Sequence, residues 1–197
     1  MPVRLALTLA LTITLAAMLT LSGGAPYAAE PDPPAAADKT QDAQQRRAAL
    51  FSELAAAKTE ADARAVEARI WEFWLTAPDA QSQQLLEDSK QAQLGFDYRG
   101  ALTALGKLIA HAPDYAEGHN QRAYVLFLMG AYGESLQAIE ETLKREPKHY
   151  GALAGKGVIL LMQGKDEEGQ AALRQAHKVN PWLKERGLIT DTPGRRI

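Results

Sequence analysis

The chain of 197 residues contains no cysteine. That excludes disulfide staples, thiolate nucleophiles, zinc–thiolate centres and a lipidated cysteine anchor. Neither sign of charge is in excess: 22 Lys and Arg stand against 24 Asp and Glu, a formal net of −2. The basic surface that nucleic acid requires is therefore missing. No H-E-x-x-H, G-x-S-x-G or phosphate-loop motif occurs. The four histidines, His111, His119, His149 and His177, are nowhere three or four residues apart, so no helix presents a paired ligand face. They read as solvated or turn residues. Adjacent acids such as Glu140–Glu141 and Glu167–Glu168 point to different helix faces and read as solvated surface. No nucleophile, base and orienting group converge. The sequence thus predicts no catalytic residue, no metal, no cofactor and no enzyme.

Long apolar runs are also scarce. One, Leu5 to Leu21, follows Arg4 and carries no charge. Its 17 residues fall short of the ~20 that cross a bilayer comfortably. The breakers Ser22-Gly23-Gly24-Ala25-Pro26 follow at once, with no basic stop-transfer cluster. Residues 1–29 read as a secretory signal peptide, cut after Ala29 or Gly24, with an uncleaved anchor as the alternative. The expected address is exported, periplasmic or cell-envelope, with no membrane span in the mature chain. Pro31, Pro33 and Pro34 then predict a flexible Pro/Ala linker over 30–41.

What the rest of the chain has in abundance is periodicity. Pro113, Pro147 and Pro181 lie 34 residues apart, and Pro78 lies 35 before Pro113. Alignment on them gives three units, 82–115, 116–149 and 150–183. At the eighth position stand Ser89, Ala123 and Gly157. At the twentieth stand Ala101, Ser135 and Gly169, and at the twenty-seventh Leu108, Thr142 and Ala176. Eight of these nine residues are small, Leu108 being the exception, and small residues here let two antiparallel helices touch. Leu105, Ile139 and Leu173 at the twenty-fourth position face the next hairpin. Gly130 and Gly164 sit where the first helix ends and turns. The first unit departs: its Gly95 comes one position early and Phe96 stands at the turn. Gly151, Gly155 and Gly157 follow no strand and fall inside a predicted helix, where close packing explains them.

These columns and this period resemble the tetratricopeptide-repeat (TPR) family over residues 82–183 and, more narrowly, small exported members of that family from proteobacteria. The resemblance implies an all-α fold of antiparallel helical hairpins stacked as a short solenoid. Residues 42–78 predict a further helical pair, with Leu50, Leu54, Val66, Ile70, Phe73 and Trp74 at helical spacing and a restart at Thr59–Asp62. It is expected to act as an N-terminal cap or degenerate repeat. Trp182, Leu183, Leu188 and Ile189 are expected to cap the other end, within a C-terminal cap and loose tail over 184–197.

The family's first helices line a concave face. The residues expected there are Leu86, Lys90, Gln93 and Leu94 in the first unit, Asn120, Tyr124, Phe127 and Leu128 in the second, and Ala154, Val158, Leu161 and Met162 in the third. Some relatives grip a C-terminal carboxylate on this face with Lys, Asn and Arg. Lys90 and Asn120 do not reproduce that clamp, so the expected groove is more apolar. The function expected is a non-catalytic adaptor or scaffold binding another protein's helix or peptide. The alternatives are a self-associating envelope protein and, less favoured, an accessory subunit of an envelope enzyme. The chain's own tail is a competing cover for the groove.

Overall fold

The computed structural model describes residues 34–190, so the signal-peptide reading of residues 1–29 and the tail at 191–197 lie outside the described residues. Among these residues there are eight α-helices and no strand. Helices α3 (Ala80–Leu94) and α4 (Tyr98–His111) form the first hairpin, α5 (Ala116–Leu128) and α6 (Tyr132–Arg145) the second, and α7 (Tyr150–Met162) and α8 (Asp166–Val179) the third. Ahead of them run α1 (Pro34–Ala56) and α2 (Glu60–Leu75), and a short 3-10 helix, Lys184–Leu188, follows α8. The fold is the all-α stack of hairpins that the family resemblance implies.

The small-residue columns lie at the hairpin contacts. Ser89, Ala101, Ala123, Ser135, Thr142 and Ala176 are all buried. Ser135 Oγ donates to the carbonyl of Ala123 across the second hairpin at 2.7 Å. In the third hairpin the backbones meet directly. A Cβ on Gly157 would lie 2.6 Å from Leu173 Cγ and 3.0 Å from the Gly169 carbonyl. Each turn closes in the same way, by a backbone bond from the residue after the turn to the carbonyl five before it: Asp97 to Ala92, Ala131 to Leu126, Lys165 to Leu160. The residue between is left-handed, Gly130 and Gly164 at φ +72° but Phe96 at φ +58°. That conformation costs a bulky residue about 1–2 kcal/mol.

Helix starts follow local chemistry. Asp79 caps α3 through Ser82 N–H, Asp97 caps α4 through Gly100 N–H, and Thr59 caps α2 through Asp62 N–H, its own hydroxyl donating back to Asp62. The three prolines predict a linker over 30–41, but α1 begins at Pro34. Proline at a first helical position loses no hydrogen bond, and Ala35 to Ala37 then favour continuation.

The N-terminal pair does not stack outside the first repeat as a cap would. Its core residues Leu50, Phe51, Leu54, Ala63, Val66, Ile70 and Trp74 pack with Tyr150, Leu153, Ala154, Ala176 and Leu183 of the third. Helix α2 crosses the starts of the inner helices as a strap. It meets the last position of each repeat in turn: Tyr115, His149 and Leu183. The Tyr115 hydroxyl donates to the Trp74 carbonyl at 2.7 Å, the Trp74 ring stacks on His149 at 3.9 Å, and Glu67 accepts from Asn180. Arg47 of α1 grips buried Glu146 with two N–H groups. At the far end, Leu183 is buried, but Leu188 is 47% exposed and does not seal the stack. Gln170 holds this segment through the Leu188 carbonyl and Thr190 N–H.

Two expectations follow. Gly157→Leu drives a side chain into Leu173 and the α8 backbone, so stability falls by about 1–3 kcal/mol or more; thermal unfolding followed by circular dichroism measures it. His119 is buried and donates to the Pro113 carbonyl at 3.0 Å, and burial lowers its pKa below the ordinary 6.5. The unfolded chain therefore binds a proton that the folded chain refuses as pH falls through that value. Its contribution to stability is complete above about pH 6.5 and is lost below it. In His119→Gln that part of the pH dependence flattens, read as urea midpoints on either side of the imidazole range.

Candidate functional site

Between the strap and the inner helices α5 and α7 lies a cleft of about 720 Å³. Trp71 and Ala68 of α2 form one wall, with Arg64 and Glu67 at the end nearer the 3-10 helix. Asn120, Gln121, Tyr124 and Phe127 come from α5. Tyr150, Ala154, Gly155 and Val158 come from α7, and Lys184 and Glu185 close one rim. The helix pattern explains this presentation. Positions four and seven residues apart share a face, so Asn120, Tyr124 and Phe127 project together, as do Ala154 and Val158. Gly151 admits the strap: a Cβ there would come within 2.9 Å of the Trp71 ring.

The twelve residues expected on the inner face separate into five groups. Asn120, Tyr124, Phe127, Ala154 and Val158 line the cleft. Leu86 does not reach a surface: it is fully buried with Leu105, Leu108 and Val125, because α3 turns that side toward α4 and α5. Leu161 sits against Gly169, where a Cβ would lie 2.8 Å from its Cγ, and so belongs to the hairpin contact. The first-unit residues Lys90 and Gln93 face neighbours on their own helix, Glu87 at 3.9 Å and Ser89. Leu94, Leu128 and Met162 are exposed, at equivalent positions where the inner helices end.

Beneath the cleft runs a buried polar chain that the sequence reading missed. Glu117 and His149 are both fully buried, with Glu117 Oε2 2.9 Å from His149 Nε2. Ala152 N–H donates to His149 Nδ1 at 3.1 Å, so the ring proton sits on Nε2 and is donated to Glu117. His149 is thus the N-cap of α7 and no solvated turn residue. Glu117 also accepts from the amides of Asn120, at 3.1 Å, and Gln121, fixing two cleft residues. This chain joins the start of α5 to the start of α7, since His149, the last residue of the second repeat, also caps α7. Its sequence signal was only the adjacency of Glu117 to the predicted α5 start. Trp71 was missed because it lies outside the apolar stripe of its own helix.

The cleft's aromatic walls are Trp71, Tyr124, Phe127 and Tyr150, and among its charged residues Arg64 pairs with Glu60 at 3.0 Å and with Glu67. Burial pushes the ionisation of Tyr150 well up, so its hydroxyl stays protonated. That buried hydroxyl has no hydrogen-bond partner among the described residues. Among the same residues no three His, Asp or Glu side chains group as metal ligands, and no helix is long and apolar enough to cross a membrane.

The comparisons with known proteins agree with this architecture. No family model matches the chain. A TPR repeat-containing protein of Rhizobium etli is 34% identical over 146 residues, covering 70% of this chain and 72% of that protein. The Arabidopsis OM64 TPR domain superposes with a TM-score of 0.53 at 18% identity, over 55% of this chain and 89% of that one. The TPR2B domain of yeast Sti1, solved in a complex with pHsp70, gives 0.50 at 18% identity, over 51% of this chain and 81% of that one. With the 34-residue period, the hairpin columns and the length of the Rhizobium match in agreement, the chain belongs to the TPR family.

Proposed function

We propose that the chain is a non-catalytic protein-interaction module whose cleft between α2, α5 and α7 takes an apolar segment of a partner protein. The observation that carries this reading is Tyr124. It is a large aromatic, 52% exposed, at the mouth of an aromatic-walled cleft. Side chains of this type in concave apolar sites dominate binding energy. The partnerless Tyr150 hydroxyl supports the same reading, since a buried donor beside an apolar recess gains from an acceptor on a bound segment. That the Sti1 TPR2B domain was solved with pHsp70 gives the reading a parallel within the same fold. Arg4, the uncharged run Leu5 to Leu21 and the breakers after it support export to the cell envelope as the place of action.

The test is a displayed peptide library selected on the full chain. Peptides taken by the cleft lose affinity about tenfold or more for the Tyr124→Ala/Val158→Ser double variant, while its helical circular dichroism stays that of the wild type. Unchanged affinity places binding elsewhere on the molecule. Both residues line the cleft without being core, so folding and binding separate cleanly.

A further inference from the structure

The first repeat breaks the rule that the other two keep. Its turn puts Phe96 at φ +58°, where the second and third repeats have Gly130 and Gly164 at φ +72°. A phenylalanine strained into the left-handed region is ordinarily held there by packing. Phe96 is instead 79% exposed, with an edge-on ring contact to Tyr98 at 6.5 Å. Beside it Leu94 is 73% exposed. A backbone turn that glycine would relax therefore presents a protruding apolar knob.

The same chain carries a recess of matching character. The cleft has aromatic walls at Trp71, Tyr124, Phe127 and Tyr150, and opens against Gly155, whose missing side chain leaves space. It is built by α2 and the second and third repeats, and no first-repeat residue lines it. Knob and recess thus occupy different parts of one molecule. Their surroundings are mixed in sign: Asp97 and Arg99 flank Phe96, while Lys184 and Glu185 edge the cleft. An acid and a base on each side give two copies no like-charge barrier and allow opposite pairing.

We propose that Phe96 and Leu94 of one copy seat in the cleft of a second copy, so that the chain associates head to tail. The contact is heterologous, leaving a free cleft at one end of the assembly and a free knob at the other, and it closes into a ring or extends. It rests on the cleft being the binding surface, and names this chain as the partner.

The absence of cysteine makes the test direct. Arg99→Cys is placed beside the knob in one tagged full-length chain, and Ala68→Cys, on the cleft wall, in a differently tagged one. A short bis-maleimide joins them, and products carrying both tags are counted. Phe96→Gly in the first chain is expected to reduce the mixed product about tenfold or more, while its melting temperature equals or exceeds that of the parent because the strain is relieved. Tyr124→Ala in the second chain reduces the product likewise. A mixed product indifferent to Phe96→Gly, or a monomeric mass by light scattering at every concentration, overturns the proposal. Loss with Tyr124→Ala but not with Phe96→Gly overturns the knob and leaves the cleft as a site for another segment.

Discussion

Two helices joined by a three-residue turn stay together only if their backbones approach closely along the whole contact. In this chain that approach is made by whatever is small enough at three positions per repeat. The third hairpin takes it furthest, with Gly157 and Gly169 setting backbone against backbone. The second uses Ala123 and Ser135, and turns the serine hydroxyl into a cross-link to the facing carbonyl. Everything downstream depends on this spacing. Leu173 is fully buried against Gly157 of its own hairpin, and Leu105 is fully buried with Leu86 and with Val125 of the next one. The inner faces of α5 and α7 stand side by side, and the cleft exists because they do.

The second organising element is the strap. A short solenoid leaves apolar surface along its inner face, and here α2 covers the part nearest the starts of the inner helices. The cover is made from unlike contacts. Trp74 stacks on His149, Glu67 meets Asn180, and Arg47 reaches Glu146 while its guanidinium lies 5.6 Å from the Phe51 ring centroid. Beneath it Glu117 ties the start of α5 to His149, which caps α7 through Ala152 N–H, and holds Asn120 and Gln121 in place. The cleft floor is therefore set from below by a hydrogen-bonded chain, and its wall from the side by an aromatic contact.

Repetition made the hairpins legible. Gly157, Ser135 and Ala101 each belong to a column seen three times, and a column exposes the constraint that a single residue hides. The strap occurs once. Trp71 and His149 are 78 residues apart, and no spacing in the sequence relates them. Spacing alone leaves α2 as part of a cap or degenerate repeat, whereas its core residues pack against the third repeat. The cleft was half legible for a related reason. Helical spacing correctly grouped Asn120, Tyr124 and Phe127, and Ala154 with Val158, but it could not say which neighbours would bury Leu86 and Leu161. Local chemistry misleads at Pro34, where a residue that breaks helices in their interior starts one instead, and at His149, which is buried as the cap of α7.

The strap touches the same position in three successive repeats, from the Tyr115 hydroxyl at one end to Asn180 and Leu183 at the other. Mechanically it is the string of a bow. A free solenoid bends by small rotations between neighbouring repeats, which accumulate along its length. A rigid helix spanning the ends of those repeats fixes their separations together, so no hairpin can rotate without straining the whole chord. The curvature of the inner surface is then a property of the unbound molecule. A segment entering the cleft meets a shape already set, and the entropy of ordering falls on that segment alone.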